Sequence, residues 1–216
     1  MRCLLSVAML LLTGCIPEPG RRPVPPPAQV WMPQPLDPDA ATRQCYADLR
    51  REGVGFRPLP DRVFGSGCTA LGSVQLLEIG TPVSNLGAMT CPVAQQFARW
   101  TRDAVQPAAR QWLGSSVVKI ESMGTYSCRS LNAQAGQKLS EHGRANAVDI
   151  GAFVLADGRR ITVLDGWRGG DAGPRNFLRA VHQAGCLRFQ VGLGPDANGY
   201  HRNHLHFDMG RGPYCR

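Results

Sequence analysis

Four of the five histidines fall in two short segments. The first reads Ser140-Glu141-His142-Gly143-Arg144-Ala145-Asn146-Ala147-Val148-Asp149, and the second His201-Arg202-Asn203-His204-Leu205-His206-Phe207-Asp208. Side chains alternate along a strand, so His204, His206 and Asp208 share one face while Leu205 and Phe207 point into a core. On a second strand over 145–153, Ala147 and Asp149 face one way, Val148 and Ile150 the other. If the two strands are neighbours, Asp149 and His206 converge across the sheet, and His142 swings in from the loop ahead. Two imidazoles and one carboxylate leave a coordination position open for water, which distinguishes a catalytic zinc site from a structural one. A His-x-His pair alone on a strand is usually structural. Joined by a His and an Asp six residues clear of each other, it reads as a metal site, with Ala145 and Ala147 leaving space for a substrate chain.

The pattern Ser-x-His-x-x-(small)-x-Ala-x-Asp followed by His-x-His resembles the metallopeptidase superfamily of D-alanyl-D-alanine peptidases, lysostaphin-type enzymes and penicillin-insensitive murein endopeptidase. Tyr126-Ser127-Cys128-Arg129-Ser130 resembles the arginine segment that precedes the first motif in the D-alanyl-D-alanine branch. The cysteines, Trp167 and the stretch His201 to Asp208 resemble more closely the extensin-like C-terminal domain family, a branch of that superfamily, over about residues 42–216. The resemblance implies zinc on His142, Asp149 and His206, a catalytic histidine at His204 and a further active-site histidine at His201. It implies that Arg129 holds the substrate carbonyl or carboxylate. Two positions depart from the pattern: Ala145 replaces the usual glycine, and Asn203 stands where other relatives carry a Glu. A carboxylate base at position 203 is therefore absent, which leaves the general base open between His204 and His201. Glu141 and Asp208 are the alternatives for base or outer partner, and Asp208 shares the His206 face, which suits an orienting role. A zinc-containing wall-binding module without turnover is the rival reading.

The N-terminus bears on the compartment. Met1-Arg2 is followed by a short apolar stretch, Leu4 to Leu12, far below the ~20 residues a membrane span needs. Leu12-Thr13-Gly14-Cys15 resembles the bacterial lipobox, so 1–14 reads as a lipoprotein signal peptide and Cys15 as the lipid-bearing first residue; an ordinary signal peptide is the alternative. Ile16 after that cysteine favours the outer membrane. From there to about Ala41, nine prolines hold an extended linker. The remaining six cysteines, Cys45, Cys68, Cys91, Cys128, Cys186 and Cys215, are an even set without a Cys-x-x-Cys pair, which reads as three disulfides. Neighbours in sequence are the expected partners: 45–68, 91–128 and 186–215.

Charge is lopsided, with 24 Lys+Arg against 16 Asp+Glu for a formal +8, nearly all of it arginine. No aromatic-plus-basic repeat accompanies it, so nucleic acid is not the expected partner. An anionic wall polymer, peptidoglycan, is.

The positioning elements belong to residues 42–216. A helix is expected over Ala41–Arg51 and a strand over Val74–Ile79. Cys91–Leu113 carries apolar residues at three- and four-residue steps with Pro92 in its first turn, and Pro107 threatens a kink. Strands follow over Ser116–Met123, Ala145–Phe153 and Ile161–Leu164, the last pair joined by a turn at Asp157-Gly158. Pro174–Gly185 reads as a helix, then Leu187–Val191 and Leu205–Met209 as strands. The sum is an α+β domain: an antiparallel sheet flanked by helices, stapled by disulfides, with the zinc site on its face. His182 and Trp167 are taken as structural.

Overall fold

The computed structural model describes residues 39–134 and 136–216; the signal segment, Cys15 and the proline-rich linker lie outside the described residues. Helix α1 (Ala40–Arg51) starts where Asp39 accepts the Thr42 N–H at 2.7 Å, and it buries Tyr46 and Leu49. Short strands follow: β1 (Gly55–Pro58), β2 (Arg62–Val63), β3 (Thr69–Ala70), β4 (Ser73–Glu78), β5 (Val83–Ser84) and β6 (Met89–Thr90). Of these, β1, β4 and β6 form a small antiparallel sheet.

The long helix is α2 (Cys91–Trp100) and α3 (Gln106–Leu113), joined through a π-turn at Thr101–Val105. Pro107 has no N–H to give Asp103, and its ring would strike that carbonyl in a regular α-turn. Widening the turn, with Gln106 N–H reaching Thr101 O, absorbs the proline without ending the helix. Gly114, with φ of 65°, closes it.

Strands β7 (Val117–Gly124), β8 (Ala147–Leu155) and β9 (Arg160–Thr162) come next, then α4 (Val163–Gly166), α5 (Ala172–Cys186), β10 (Val191–Leu193), β11 (Leu205–Asp208) and β12 (Tyr214–Cys215). The main sheet runs β12-β10-β11-β8-β7-β5, with β9 also paired to β8. It is mixed at its edges, since β5 pairs β7 and β12 pairs β10 in parallel. The fold is thus mixed α/β rather than built on a purely antiparallel sheet. One expected strand is shorter and another is displaced: β9 stops because the Thr162 hydroxyl caps α4, and Leu187–Gln190 turns off the end of α5, so β10 shares only Val191 with the expected strand.

Simple alternation does not hold along β8. Ser122 pairs Ile150 and Glu121 pairs Ala152, so Gly151 is an extra residue, a β-bulge. It lets Val148 and Ile150 share the core face with Phe153 and Leu155, all buried. A second irregularity, at Met123 of β7, falls between the Ser122–Ile150 and Gly124–Asp149 pairs, so along β7 two shifts in succession precede the pair with Asp149. Across that face Trp100 packs near Phe97, Phe153 and Phe207, and its indole N–H donates to Val181 O at 2.8 Å.

The disulfides are Cys45–Cys91, Cys68–Cys128 and Cys186–Cys215. Only the last follows sequence neighbours. Packing of α1 on α2 brings Cys45 to Cys91 and leaves Cys68 for Cys128. Tertiary contact, not chain distance, selects the partner.

Candidate metal centre

Strands β8 and β11 pair in antiparallel register with His206 opposite Asp149. Leu205 and Phe207 go into the core, which turns His206 and Asp208 to the other face. His142 comes from a 3-10 turn, Glu141–Arg144, capped by the Ser140 side chain. Ala145 ends that turn in the left-handed region, φ 54°, a conformation in which glycine carries no Cβ penalty. Glu141 is occupied structurally, accepting from Asn146 at 2.7 Å and pairing with Arg144 at 3.3 Å. It also lines the cleft onto which the centre opens.

Three ligand-type atoms meet. His142 Nε2 lies 3.1 Å from His206 Nδ1 and 3.1 Å from Asp149 Oδ2, and His206 Nδ1 lies 2.8 Å from Asp149 Oδ1. A tetrahedral zinc with bonds of ~2.0–2.1 Å spaces its ligand atoms by ~3.3 Å, so the triangle fits such an ion with a small expansion. The nitrogens turned away are also held: His142 Nδ1 is 3.0 Å from Thr125 O, and His206 Nε2 is 2.8 Å from Asp208 Oδ2. With a metal held there, each imidazole would donate outward and turn a lone pair inward, the arrangement that orients metal-ligating histidines; without one, the inner nitrogens face the Asp149 carboxylate as hydrogen-bond donors. His142, Asp149 and His206 could therefore hold a metal ion. Among the described residues the other such cluster, His182 with Cys186 and Cys215, offers no thiolate because its sulfurs form a disulfide.

Burial alone would raise Asp149, yet hydrogen bonds from His142 and His206 hold its carboxyl far below the usual range. Burial opposes a charge on His206, but Asp149 and Asp208 outweigh it and push the group up to about 9. His201 goes the other way, down to about 4, through burial and the neighbouring His206 and His204. His204 is lowered too, chiefly by burial, against the pull of Asp149.

His204 stands just before β11, not on it, with Nε2 3.6 Å from Asp149 Oδ1 and Nδ1 3.0 Å from Asn203 Oδ1. His201 closes a 3-10 turn, Gly199–His201, its ring 5.1 Å from that of His204. Their loop is anchored by Asp196, which accepts from Arg168 at 2.8 Å and Arg179 at 3.2 Å. Arg179 lies over the ring of Trp167, 4.8 Å away, and Trp167 meets His182 edge-on. Trp167 and His182 are thus the floor of this loop, and neither lines the metal-centre cleft.

Arg129 reaches the centre from the segment stapled by Cys68–Cys128, with Nη2 3.8 Å from Asp149 Oδ2. All these groups open on one cleft of about 860 Å³, which Lys138, Tyr200 and Arg211 also line. Sequence reasoning did not find the Thr125 carbonyl, since a backbone acceptor leaves no residue signal. It also passed over Asn198, although Asn beside Gly199 is a turn signal whose side chain accepts the N–H two residues on, here that of Tyr200. No curated protein and no solved structure matches the chain. A family model described as extensin-like protein C-terminus matches residues 43–216, from inside α1 to the last residue. That span takes in the whole centre, and the chain belongs to this family.

Proposed function

We propose that the protein is a zinc-dependent peptidase of the bacterial envelope, acting on peptidoglycan stem peptides or cross-links. The observation that carries this reading is the triangle of His142 Nε2, Asp149 and His206 Nδ1 at an open cleft, with both outward imidazole nitrogens tied down. Zinc held by His142, Asp149 and His206 would lower the pKa of a water at the open position and polarise a scissile carbonyl. His204, lowered in pKa and turned toward Asp149, is suited to take the water's proton and return it to the leaving amine. His201 is the alternative. Arg129, about one-third exposed, is placed to hold the substrate carbonyl or a carboxylate through its planar fork. Asp208 orients His206. The resemblance of Leu12-Thr13-Gly14-Cys15 to a lipobox, with the proline-rich stretch behind it, supports a lipid anchor on the periplasmic side, and Ile16 supports the outer membrane.

Asn203 favours a second reading, a zinc-containing peptidoglycan-binding lipoprotein without turnover, because it supplies no carboxylate base. Purified peptidoglycan digested by the chain from Asp39 onward, which keeps the cap of α1, separates the two. Zinc-loaded, chelated and His206→Ala samples are compared by mass spectrometry of the released muropeptides. New products with zinc-loaded wild type alone establish the peptidase and name the bond. Pull-down on the polymer with an unchanged muropeptide profile establishes the binding module instead.

A further inference from the structure

We propose that Asn198 is a positioning residue that locks His201 as the Nδ1–H tautomer and turns its Nε2 lone pair onto the cleft. The assignment starts from the amide. Asn198 Oδ1 lies 2.9 Å from the backbone N–H of Tyr200, and a backbone N–H can only donate, so the atom there is the oxygen. That same oxygen lies 2.9 Å from His201 Nδ1. An amide oxygen only accepts, so Nδ1 carries the proton, and a neutral imidazole with Nδ1–H has a bare Nε2. Nε2 has no partner among the described residues, and it is not among the fully buried polar atoms left without one. It therefore opens on the cleft that His201 lines, beside the ring of His204. Asn203 makes a similar contact with His204 at 3.0 Å, but among the described contacts no backbone donor pins that amide, so the argument holds for His201 alone.

The tautomer stands on this geometry; its consequence for turnover rests on the peptidase reading. Full-length protein labelled with ¹⁵N-histidine is examined by long-range proton–nitrogen correlation, with His201→Gln identifying the His201 signals. The expected wild-type spectrum shows His201 protonated at Nδ1 and bare at Nε2. Asn198→Ser keeps a cap for Tyr200 N–H but is too short to reach the ring, so its His201 becomes a tautomer mixture. Asn198→Asp keeps both contacts and restores the wild-type pattern. A wild-type His201 protonated at Nε2, or an Asn198→Ser spectrum identical to wild type, overturns the proposal. Thermal melts confirm folding, and if the serine variant does not fold, the wild-type and aspartate spectra decide. None of these readings needs zinc or substrate, so a protein without peptidase activity leaves the test intact. With turnover, and His201 rather than His204 as the proton-transfer group, Asn198→Ser lowers kcat by about tenfold with KM unchanged, as expected when that partner is misaligned.

Discussion

His206 is held at both ring nitrogens by carboxylates, with Nε2 2.8 Å from Asp208 Oδ2 and Nδ1 2.8 Å from Asp149 Oδ1. Asp208 is itself fixed, since its other oxygen accepts the Gly210 N–H at 2.7 Å. The two carboxylates have different tasks: Asp149 shares the inner position with His142, and Asp208 stands behind the ring.

Removing Asp208 should leave the three inner groups in place but free the ring to rotate. Outer partners of this type are worth about 10- to 100-fold in metal affinity. Asp208→Ala is expected to weaken zinc binding by that factor, read by competition with a chromophoric chelator. Unchanged affinity would show that Asp208 does not act through His206.

Without metal, the same carboxylates make stability depend on pH. His206 titrates near 9 in the folded protein, above the ordinary histidine value of 6.5 in the unfolded chain. A raised pKa contributes stability that is complete below the unfolded value and disappears as pH rises through the folded one. Chelated protein should lose about 2 kcal/mol between pH 7.5 and 9.5, measured by urea unfolding at several pH values. Zinc-loaded protein, with His206 Nδ1 committed to the ion, should not show this loss. A flat profile in the chelated sample would remove His206 as its source.

How much was legible beforehand differs by element. The shared face of Asp149 and His206 could be read because period-two alternation fixes it once their strands are neighbours, and that pairing is supplied by the register of β8 on β11. The helices could be read because Tyr46, Leu49, Phe97, Trp100 and Phe177 follow helical spacing and bury accordingly. The bulge at Gly151 was not legible, since alternation counts residues and cannot see one left unpaired. Cys186–Cys215 was read correctly, and the other two pairings were missed for a related reason: which of Cys68 and Cys91 meets Cys45 depends on how α1 packs, a contact between distant segments. The outer partner Thr125 acts through its carbonyl, which every residue type carries.

The Cys68–Cys128 bond connects fold to site. It closes 60 residues, and its sulfur lies where a Cβ on Gly143, next to His142, would meet it at 3.2 Å. Cys68→Ser with Cys128→Ser should cost about 4 kcal/mol by loss of the chain constraint. Because Arg129 and His142 both border the bridge, zinc affinity should fall as well. The corresponding double variant of Cys45 and Cys91, which join α1 to α2, should cost similar stability and leave zinc affinity unchanged. Calorimetry together with the chelator titration tests the contrast, and equal affinities in the two variants would dissociate the bridge from the centre.

The core beneath the site tolerates little added volume at one point. A Cβ on Gly185 of α5 would fall 2.2 Å from the ring of Phe207, a contact no side chain makes without displacement. That ring is wholly buried, stacked on Phe189 at 5.0 Å and leaning on Trp100 at 5.4 Å, so it has nowhere to go. Gly185→Ala gains up to about 1 kcal/mol of helix propensity. Overpacking should exceed this, giving a net loss of about 1–3 kcal/mol and a Tm several degrees lower. Phe207 sits between His206 and Asp208 in β11, so its displacement should also weaken zinc binding. Gly170→Ala, where an added Cβ meets nothing within 4 Å, is the matched control and should leave both quantities unchanged. If Gly185→Ala melts with wild type, the strand is free to shift on the helix, and the positions of His206 and Asp208 are not set by the packing of α5.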